Sequence, residues 1–242
     1  MNTPTITVAL RIPGQWTHPK ELIEQLPEGY TLSPESLTMP DGTEVGFGAA
    51  KADNQFAQIF RSSCRQEPTA EEWKSVQSYK VNAFLMGPGG SLAAATTMMK
   101  AASAVLRAGG AGVFIDNSGL AHGAGLWLDM TDDGGPDAVS FAFVGIIGSK
   151  GEVHTVGMHV LGLRDVVMKR ADADAGFDIT EVIRYLARNE KPVDDGHIIA
   201  DLSGPRFRAM AQDAPREWAT SPMHNPFGRL RLVSMRDIAE TN

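Results

Sequence analysis

Two short segments of the sequence carry residue types that could bind a ligand, and the first is a glycine-rich turn. The turn Gly87-Pro88-Gly89-Gly90-Ser91 lies between an apolar segment and a segment with helical periodicity. Small residues at such a junction leave backbone N–H groups free to face an anion, and the helix dipole favours negative charge there. The sequence therefore predicts ligand-binding positions at Gly87, Gly89, Gly90 and Ser91. The alternative is that these residues only begin a capped helix.

The turn departs from both common nucleotide-binding templates. Leu92 stands where the dinucleotide fingerprint needs its third glycine, and the Lys-Ser/Thr pair of the phosphate loop is absent. Asp116 ends the next predicted strand, where an acid could bind a ribose. We therefore predict no cofactor, and a nucleotide or another small molecule stays open as a ligand class.

The second segment contains Asp116, Asn117, Ser118 and His122. An acid, a hydroxyl and an imidazole within seven positions are the residue types of nucleophilic catalysis. Ser118 lacks the Gly-x-Ser-x-Gly frame of a nucleophile turn, however. We therefore predict that these four residues bind a ligand at the same sheet edge as the glycine turn, and we predict no catalytic residue.

The histidines and acids do not match the usual metal-binding patterns. His154 and His159 are five residues apart on a predicted strand, so their side chains face opposite sides. The acidic cluster between Asp129 and Asp137 fails the calcium-loop template, because Ser140 stands where the bidentate glutamate belongs. The sequence predicts no metal site.

The only cysteine, Cys64, precedes Arg65, which could lower the pKa of its thiol. We favour a buried structural cysteine, and a single cysteine forms no intramolecular disulfide. The first ten residues lack the basic region of a signal peptide. The longest apolar run, 138–148, is far shorter than the roughly 20 residues of a membrane helix. We predict a soluble cytoplasmic protein without a membrane partner.

The charge distribution bears on the kind of partner. The 242 residues contain 22 Lys plus Arg and 29 Asp plus Glu, a formal charge of −7. Such a surface disfavours a nucleic-acid partner, since phosphates repel it. Residues 204–236 nevertheless contain six arginines and two acids. These arginines could hold an acidic protein partner, or they could balance acids within the fold.

The clearest predicted unit is a strand–helix–strand over 79–116. Ser91 caps a helix that ends at Arg107, and the order favours a parallel strand pair with a right-handed crossover. Hydrophobic periodicity also indicates a strand at 4–12, a helix at 18–26, a hairpin at 36–50, a strand or helix at 56–62, a helix at 70–76, an irregular or helical segment at 119–132, strands at 138–148, 152–160 and 163–169, a helix after Asp178, strands at 196–202 and 228–235, and a proline-rich excursion at 203–227.

These elements predict an α/β to α+β fold, with one mixed β-sheet of about seven to nine strands and helices packed on it. We predict a single domain over 1–242. The alternative is a smaller N-terminal lobe, 1–78, packed on a core of 79–242.

One segment resembles a known bacterial family. Thr155, Gly157, Gly162, Leu163 and Asp165 form a Thr-x-Gly-x-x-x-x-Gly-Leu-x-Asp pattern before a helix and a closing strand. This pattern is similar to the C-terminal signature of domain of unknown function 4261, and the resemblance covers mainly residues 79–200. Its motifs are glycines and hydrophobics, so the resemblance implies a shared fold and no particular activity.

Two classes of function are compatible with these features. The first is a non-enzymatic protein-binding module of the immunity or regulatory type. The second is a small-molecule or nucleotide-binding enzyme, with its site at the edge formed by Gly87–Ser91 and Asp116–His122.

Overall fold

The computed structural model describes residues 4–174, 178–189, 191–200 and 206–240. The strands are β1 (Thr7–Gly14), β2 (Thr31–Leu32), β3 (Ser36–Thr38), β4 (Glu44–Lys51), β5 (Val81–Pro88), β6 (Gly112–Ile115), β7 (Leu120–Gly123), β8 (Gly145–Gly148), β9 (Glu152–Val156), β10 (Asp165–Lys169), β11 (Ile198–Ala200), β12 (Arg206–Gln212) and β13 (Arg229–Ser234). The helices are α1 (Pro19–Gln25), α2 (Phe56–Ser63), α3 (Ala70–Gln77), α4 (Leu92–Arg107), α5 (Ala124–Asp133), α6 (Pro136–Phe143), α7 (Arg170–Asp174), α8 (Ile179–Arg188) and α9 (Met235–Glu240). Two short 3₁₀ turns, Met158–Leu161 and Arg216–Trp218, complete the regular elements.

The strands form two sheets. Sheet A has the order β2-β3-β4-β5-β1-β6-β7, and all its neighbours are antiparallel. Sheet B has the order β11-β12-β13-β10-β9-β8 and is mixed, because β10 and β13 are parallel. The predicted α/β to α+β class is confirmed. The prediction of one sheet with seven to nine strands is wrong, since thirteen strands of the described residues divide between two sheets.

The predicted parallel pair within 79–116 needs a correction. β5 and β6 run in the same direction, but β1 lies between them and pairs antiparallel with both. The crossover through α4 therefore spans an intervening strand. Val8, Leu10 and Ile12 of β1 are almost fully buried, so this strand has the apolar face that the centre of a sheet requires.

The main core is one connected cluster of buried apolar side chains. It includes Leu10 of β1, Met98 of α4, Phe143 of α6, Val182 of α8 and Leu232 of β13, so it joins both sheets through the helices. A smaller cluster, which contains Phe56, Phe60, Val76 and Tyr79, packs α2 and α3 against the other face of sheet A. The division into one domain or a lobe and a core stays a prediction.

Several elements differ from the sequence prediction for identifiable reasons. Residues 56–63 form a helix, the second of the two predicted alternatives. Residues 136–143 form α6 instead of a strand, since Val139, Ala142 and Phe143 share one helical face and Pro136 favours the first helical turn. β12 lies inside the predicted proline-rich excursion. No helix of the described residues is long and apolar enough to span a membrane.

Candidate functional site

The two predicted ligand-binding segments lie at one edge of sheet A. The strands that precede them, β5 and β6, both run antiparallel to β1, so both end beside the start of β1. The Gly89 N–H donates to the Ile6 carbonyl at 2.9 Å, and the Asp116 N–H donates to the Ala9 carbonyl at 3.0 Å. Antiparallel pairing with one central strand therefore brings Gly87–Ser91 and Asp116–Ser118 to the same end of the sheet.

The glycine turn uses its own donors within the protein. The N–H of Gly89 bonds Ile6, and the N–H of Gly90 donates to the Val160 carbonyl at 2.9 Å. Ser91 is the N-cap of α4, and its hydroxyl accepts the N–H of Ala94 at 3.1 Å. These donors are thus not free to face an anion. The turn supports the start of the helix and the segment that carries Val160.

That segment, 157–162, is shaped by the Thr155–Asp165 motif. Gly157 and Gly162 have φ angles of 96° and 80°, which favour glycine. The Thr155 hydroxyl donates to Asp165 Oδ1 at 3.0 Å, and the Met158 N–H donates to the same oxygen at 3.3 Å. Burial raises the pKa of Asp165 to about 6, although hydrogen bonds from Asn225 and Thr155 oppose this effect. The motif residues therefore hold a tight turn in place.

Asp116 and His122 are separated by the length of β6. The Asp116 carboxylate pairs with Arg11 at 2.8 Å, and Arg11 also lies over the ring of Phe84. His122 is opposite Val113 near the other end of β6, fully buried, and its Nε2 donates to the Ala142 carbonyl at 2.9 Å. Burial lowers its pKa to about 4. The structure does not bring an acid, a hydroxyl and an imidazole together here.

Ser118 and Asn117 occupy the turn that follows β6. Ser118 is buried, and its Oγ has no hydrogen-bond partner among the described residues. Asn117 Oδ1 accepts the N–H of Ala9 at 2.9 Å, and Asn117 Nδ2 donates to the Thr7 carbonyl at 3.0 Å. The side-chain amide thus continues the hydrogen-bond ladder of β6 along β1 beyond the end of the strand.

Asn117 also contacts His159, a residue that the sequence did not associate with this edge. Their Nδ2 and Nε2 atoms are 3.3 Å apart, and both side chains are buried. Burial lowers the pKa of His159 to about 4, while the Pro222 carbonyl acts in the opposite direction. The imidazole is therefore neutral at pH 7. The two residues are 42 positions apart, and no local pattern links them.

A cleft of about 550 Å³ opens beside this pair. Its lining includes Thr5, Thr7, Asn117, His159, Ser221 and His224. None of its lining residues in the described chain is Asp, Glu, Lys or Arg. The arrangement suits a neutral molecule with hydrogen-bonding groups better than an ion.

Sheet B carries a second candidate surface, on the face that we term the arginine face. Arg206, Arg208 and Met210 alternate along β12 and so share a face. Ile198 is directly opposite Arg208, and Arg231 is directly opposite Met210. Ile198 is 58% exposed and Met210 is 43% exposed. The arginine face consists of these five residues.

The arginines of this face differ in their partners. Arg231 forms an ion pair with Glu152. Arg206 and Arg208 form no ion pair with an acid in the described part of the chain. The predicted pairing of these arginines with acids of the same fold is therefore seen for Arg231 of β13. It is not seen for Arg206 and Arg208 of β12 within the described residues.

The remaining chemical candidates have structural roles. No group of three or more His, Cys, Asp or Glu in the described ranges could hold a metal ion. Burial raises the pKa of the Cys64 thiol to about 11. The guanidinium of Arg65 does not activate it, because it bonds the carbonyls of Phe141 and Val144 at the end of α6.

Comparisons of this chain with protein-family models, with curated proteins and with solved structures found no match. The resemblance to domain of unknown function 4261 stays a prediction.

Proposed function

We propose that this protein is a non-enzymatic binding module that docks an acidic protein surface on the arginine face. One observation carries the proposal: Arg206 and Arg208 are exposed beside two exposed apolar side chains, Ile198 and Met210, without an acidic partner in the described chain. The proposed partner would supply the missing carboxylates. We also propose a cytoplasmic location, in keeping with the single cysteine.

The residue types of the arginine face suit protein recognition. Arginine and methionine are enriched in interfaces, because a guanidinium is weakly hydrated and a thioether adapts to the surface it meets. On a chain with a net charge of −7, a local positive surface also orients an acidic partner during encounter. An immunity or regulatory protein needs this kind of surface and needs no catalytic group.

Site-specific photo-cross-linking in the native host tests the location of the interface. A benzoylphenylalanine at position 210 should capture one protein in stoichiometric yield. The matched control places the same residue at Ile59, which is 46% exposed and belongs to α2, a helix that packs on β7 of sheet A. Equal capture at both positions would contradict the proposal.

Charge reversal on the purified complex tests the chemistry. The double variant Arg206→Glu/Arg208→Glu should weaken binding of the captured partner at least about tenfold, or ~1.4 kcal/mol. The control Lys51→Glu/Lys100→Glu makes the same charge change at exposed residues of β4 and α4 and should leave the Kd unchanged. Binding of the native pair should also weaken as salt is added. An unchanged Kd in the arginine variant refutes an electrostatic interface here.

A further inference from the structure

The strand β8 leaves one side of sheet B open. It is the last strand of the sheet, and β9 is its only strand partner among the described residues. In the turn between them, the Ser149 N–H donates to the Glu152 carbonyl at 2.8 Å, so the backbone groups of Ser149 point towards β9. Successive residues of an antiparallel strand turn their backbone groups to opposite sides, so those of Gly148 and Ile146 face away from β9. These two residues therefore form a strand edge that is free in the described part of the chain.

The guanidinium of Arg65 lies at one end of this edge. It donates to the carbonyls of Phe141 and Val144, and Val144 is the next position before Ile146 that faces away from β9. Arg65 is partly buried and forms no ion pair with an acid of the described residues. The face of the Phe141 ring, 4.4 Å away, offsets only part of the charge. A charge taken partly out of water is costly without a partner, so Arg65 points to a carboxylate that the described chain does not supply.

A cleft of about 190 Å³ lies beside the same edge, between β8 and the helices α6 and α8. Its lining includes Ile146 of β8, which is 41% exposed, and Ile183 of α8, which is buried. The cleft is smaller than the roughly 300–1,000 Å³ of sites for drug-sized ligands. Its size and its lining suit a single aliphatic side chain.

The charged residues of the cleft leave one positive charge uncompensated. The lining contains Arg65, Arg184 and one acid, Asp137. Asp137 pairs with Arg188, and Arg184 pairs with Glu181 at 2.6 Å. Arg65 is therefore the lining charge without an ionic partner in the described chain, and the cleft favours an anion.

These features define how an extended peptide fits the edge. In an antiparallel pair, the peptide residue opposite Ile146 donates its N–H to the Ile146 carbonyl, and its own carbonyl oxygen accepts the Ile146 N–H. A longer peptide would meet Arg65, whose guanidinium bonds the Val144 carbonyl further along the edge. The residue opposite Ile146 is therefore the last one, and its terminal carboxylate faces Arg65. Cross-strand neighbours share a face, so its side chain lies beside Ile146 in the cleft.

We propose that the edge of β8 binds the C-terminal end of an extended peptide whose last residue is aliphatic. The carboxylate pairs with Arg65, the last side chain occupies the cleft beside Ile183, and the peptide backbone pairs with Ile146 and Gly148. Main-chain hydrogen bonds to the edge provide affinity, and the cleft provides specificity. β8 is at one end of sheet B and β11 and β12 are at the other, so this site is separate from the arginine face and does not depend on the function proposed there.

Fluorescence polarisation on the full-length protein tests the ligand class. The probe is fluorescein-Gly-Ser-Thr-Thr-Thr-Leu with a free C-terminus. We expect saturable binding, and binding at least about tenfold weaker when the C-terminus is amidated, when the N–H of the leucine is methylated or when serine replaces the leucine. 4-Methylpentanoate, which has the carboxylate and the side chain without a peptide N–H, should also bind at least about tenfold more weakly.

Each probe has a result that overturns one part of the proposal. Equal binding of the amide overturns the pairing with Arg65, equal binding of the N-methyl peptide or of 4-methylpentanoate overturns the strand edge, and equal binding of the serine peptide overturns the cleft. An absence of saturable binding up to about 1 mM peptide overturns the whole proposal. These measurements use the unmodified chain, so they do not depend on the folding of a variant.

Two isoleucines of β8 supply matched variants that locate the binding. Ile146 and Ile147 are 41% and 39% exposed, and their side chains lie on opposite faces of the strand. Ile146→Glu places a carboxylate in the cleft near the peptide terminus and should weaken binding at least about tenfold. Ile147→Glu makes the same change on the other face and should alter the Kd less than about threefold. Binding that survives Ile146→Glu, or an equal loss in both variants, overturns the assignment of the site.

Discussion

The substitution Gly162→Ala tests whether the motif turn and the glycine turn support each other. Gly162 has φ 80°, and a Cβ there would lie 2.3 Å from the Gly90 carbonyl oxygen. The backbone fixes the position of a Cβ, and the Gly90 oxygen is itself a backbone atom, so a rotamer change cannot relieve the clash. One of the two turns must shift, and the Gly90–Val160 hydrogen bond lies between them.

The loss of stability expected for Gly162→Ala has two causes, and a matched variant separates them. Gly42 has almost the same backbone angle, φ 83°, but a Cβ there meets nothing within 4 Å. Gly42→Ala therefore measures the left-handed backbone alone, which costs about 1 kcal/mol once the smaller freedom of the unfolded chain is included. Gly162→Ala adds the clash, which costs about 1–3 kcal/mol more.

Urea unfolding followed by tryptophan fluorescence measures both variants against the native protein. We expect parallel unfolding curves with unchanged slopes, and a midpoint that falls further for Gly162→Ala than for Gly42→Ala. Equal losses of stability in the two variants would mean that the two turns do not approach each other closely and that the motif glycine does not hold them together.

Three further predictions concern buried groups. Arg65→Met keeps the aliphatic stem but removes the guanidinium hydrogen bonds to the carbonyls of Phe141 and Val144 at the end of α6, so urea unfolding should show a loss of about 2 kcal/mol. The pKa of His122 is about 4 in the folded protein against an ordinary value of 6.5, so the unfolded chain binds a proton more readily. The free energy of unfolding should therefore fall by about 3 kcal/mol as the pH falls from above 6.5 towards 4. Urea unfolding at several pH values should show this loss, and His122→Phe should remove it. The pKa of Cys64, about 11 against 9.0, predicts a reaction with Ellman's reagent at pH 8 about 100-fold slower in the folded than in the unfolded protein.

Each of these has its own contrary result. Arg61→Met removes an exposed ion pair with Glu67 and the contact of the guanidinium with the Trp73 ring, and it should cost less than about 1 kcal/mol. If Arg65→Met costs no more than Arg61→Met, the hydrogen bonds of Arg65 to the two carbonyls do not stabilise the fold. Asp165 has a raised pKa, so it stabilises the fold at low pH and opposes the effect of His122. The effect of His122 is therefore measured as the difference between the native protein and His122→Phe. If both lose the same stability at low pH, His122 is not the cause. A thiol that reacts equally fast before and after unfolding contradicts the raised thiol pKa of the half-buried Cys64.

Local signals explain which elements were predictable. The helix 92–107 was predicted with its observed bounds, because Ser91 caps it and its polar residues recur on one stripe. The strand prediction for 138–143 is wrong, because a short apolar run has no clear period that separates a strand from a buried helix. The prolines of 203–227 predict one irregular segment, but they do not interrupt residues 206–212, which form β12.

The candidate site was only partly predictable for a related reason. The meeting of Gly87–Ser91 and Asp116–Ser118 at one edge follows from two strands that run in the same direction. That β1 lies between those strands depends on residues about 70 to 110 positions away in the chain, and no local pattern records it. The separation of His122 from Asp116 likewise depends on the β6–β7 register.

The sequence by itself determined the fold class, the capped helix after the glycine turn and the positions of the motif glycines. These depend on dihedral preferences and on neighbours a few residues away, which are properties of short segments. Only the tertiary structure decided that Gly90 bonds Val160, that Asn117 orients His159, and that Arg206 and Arg208 lie on one exposed face with Ile198. Those contacts join residues distant in the chain, and they form only after strand order and register are set.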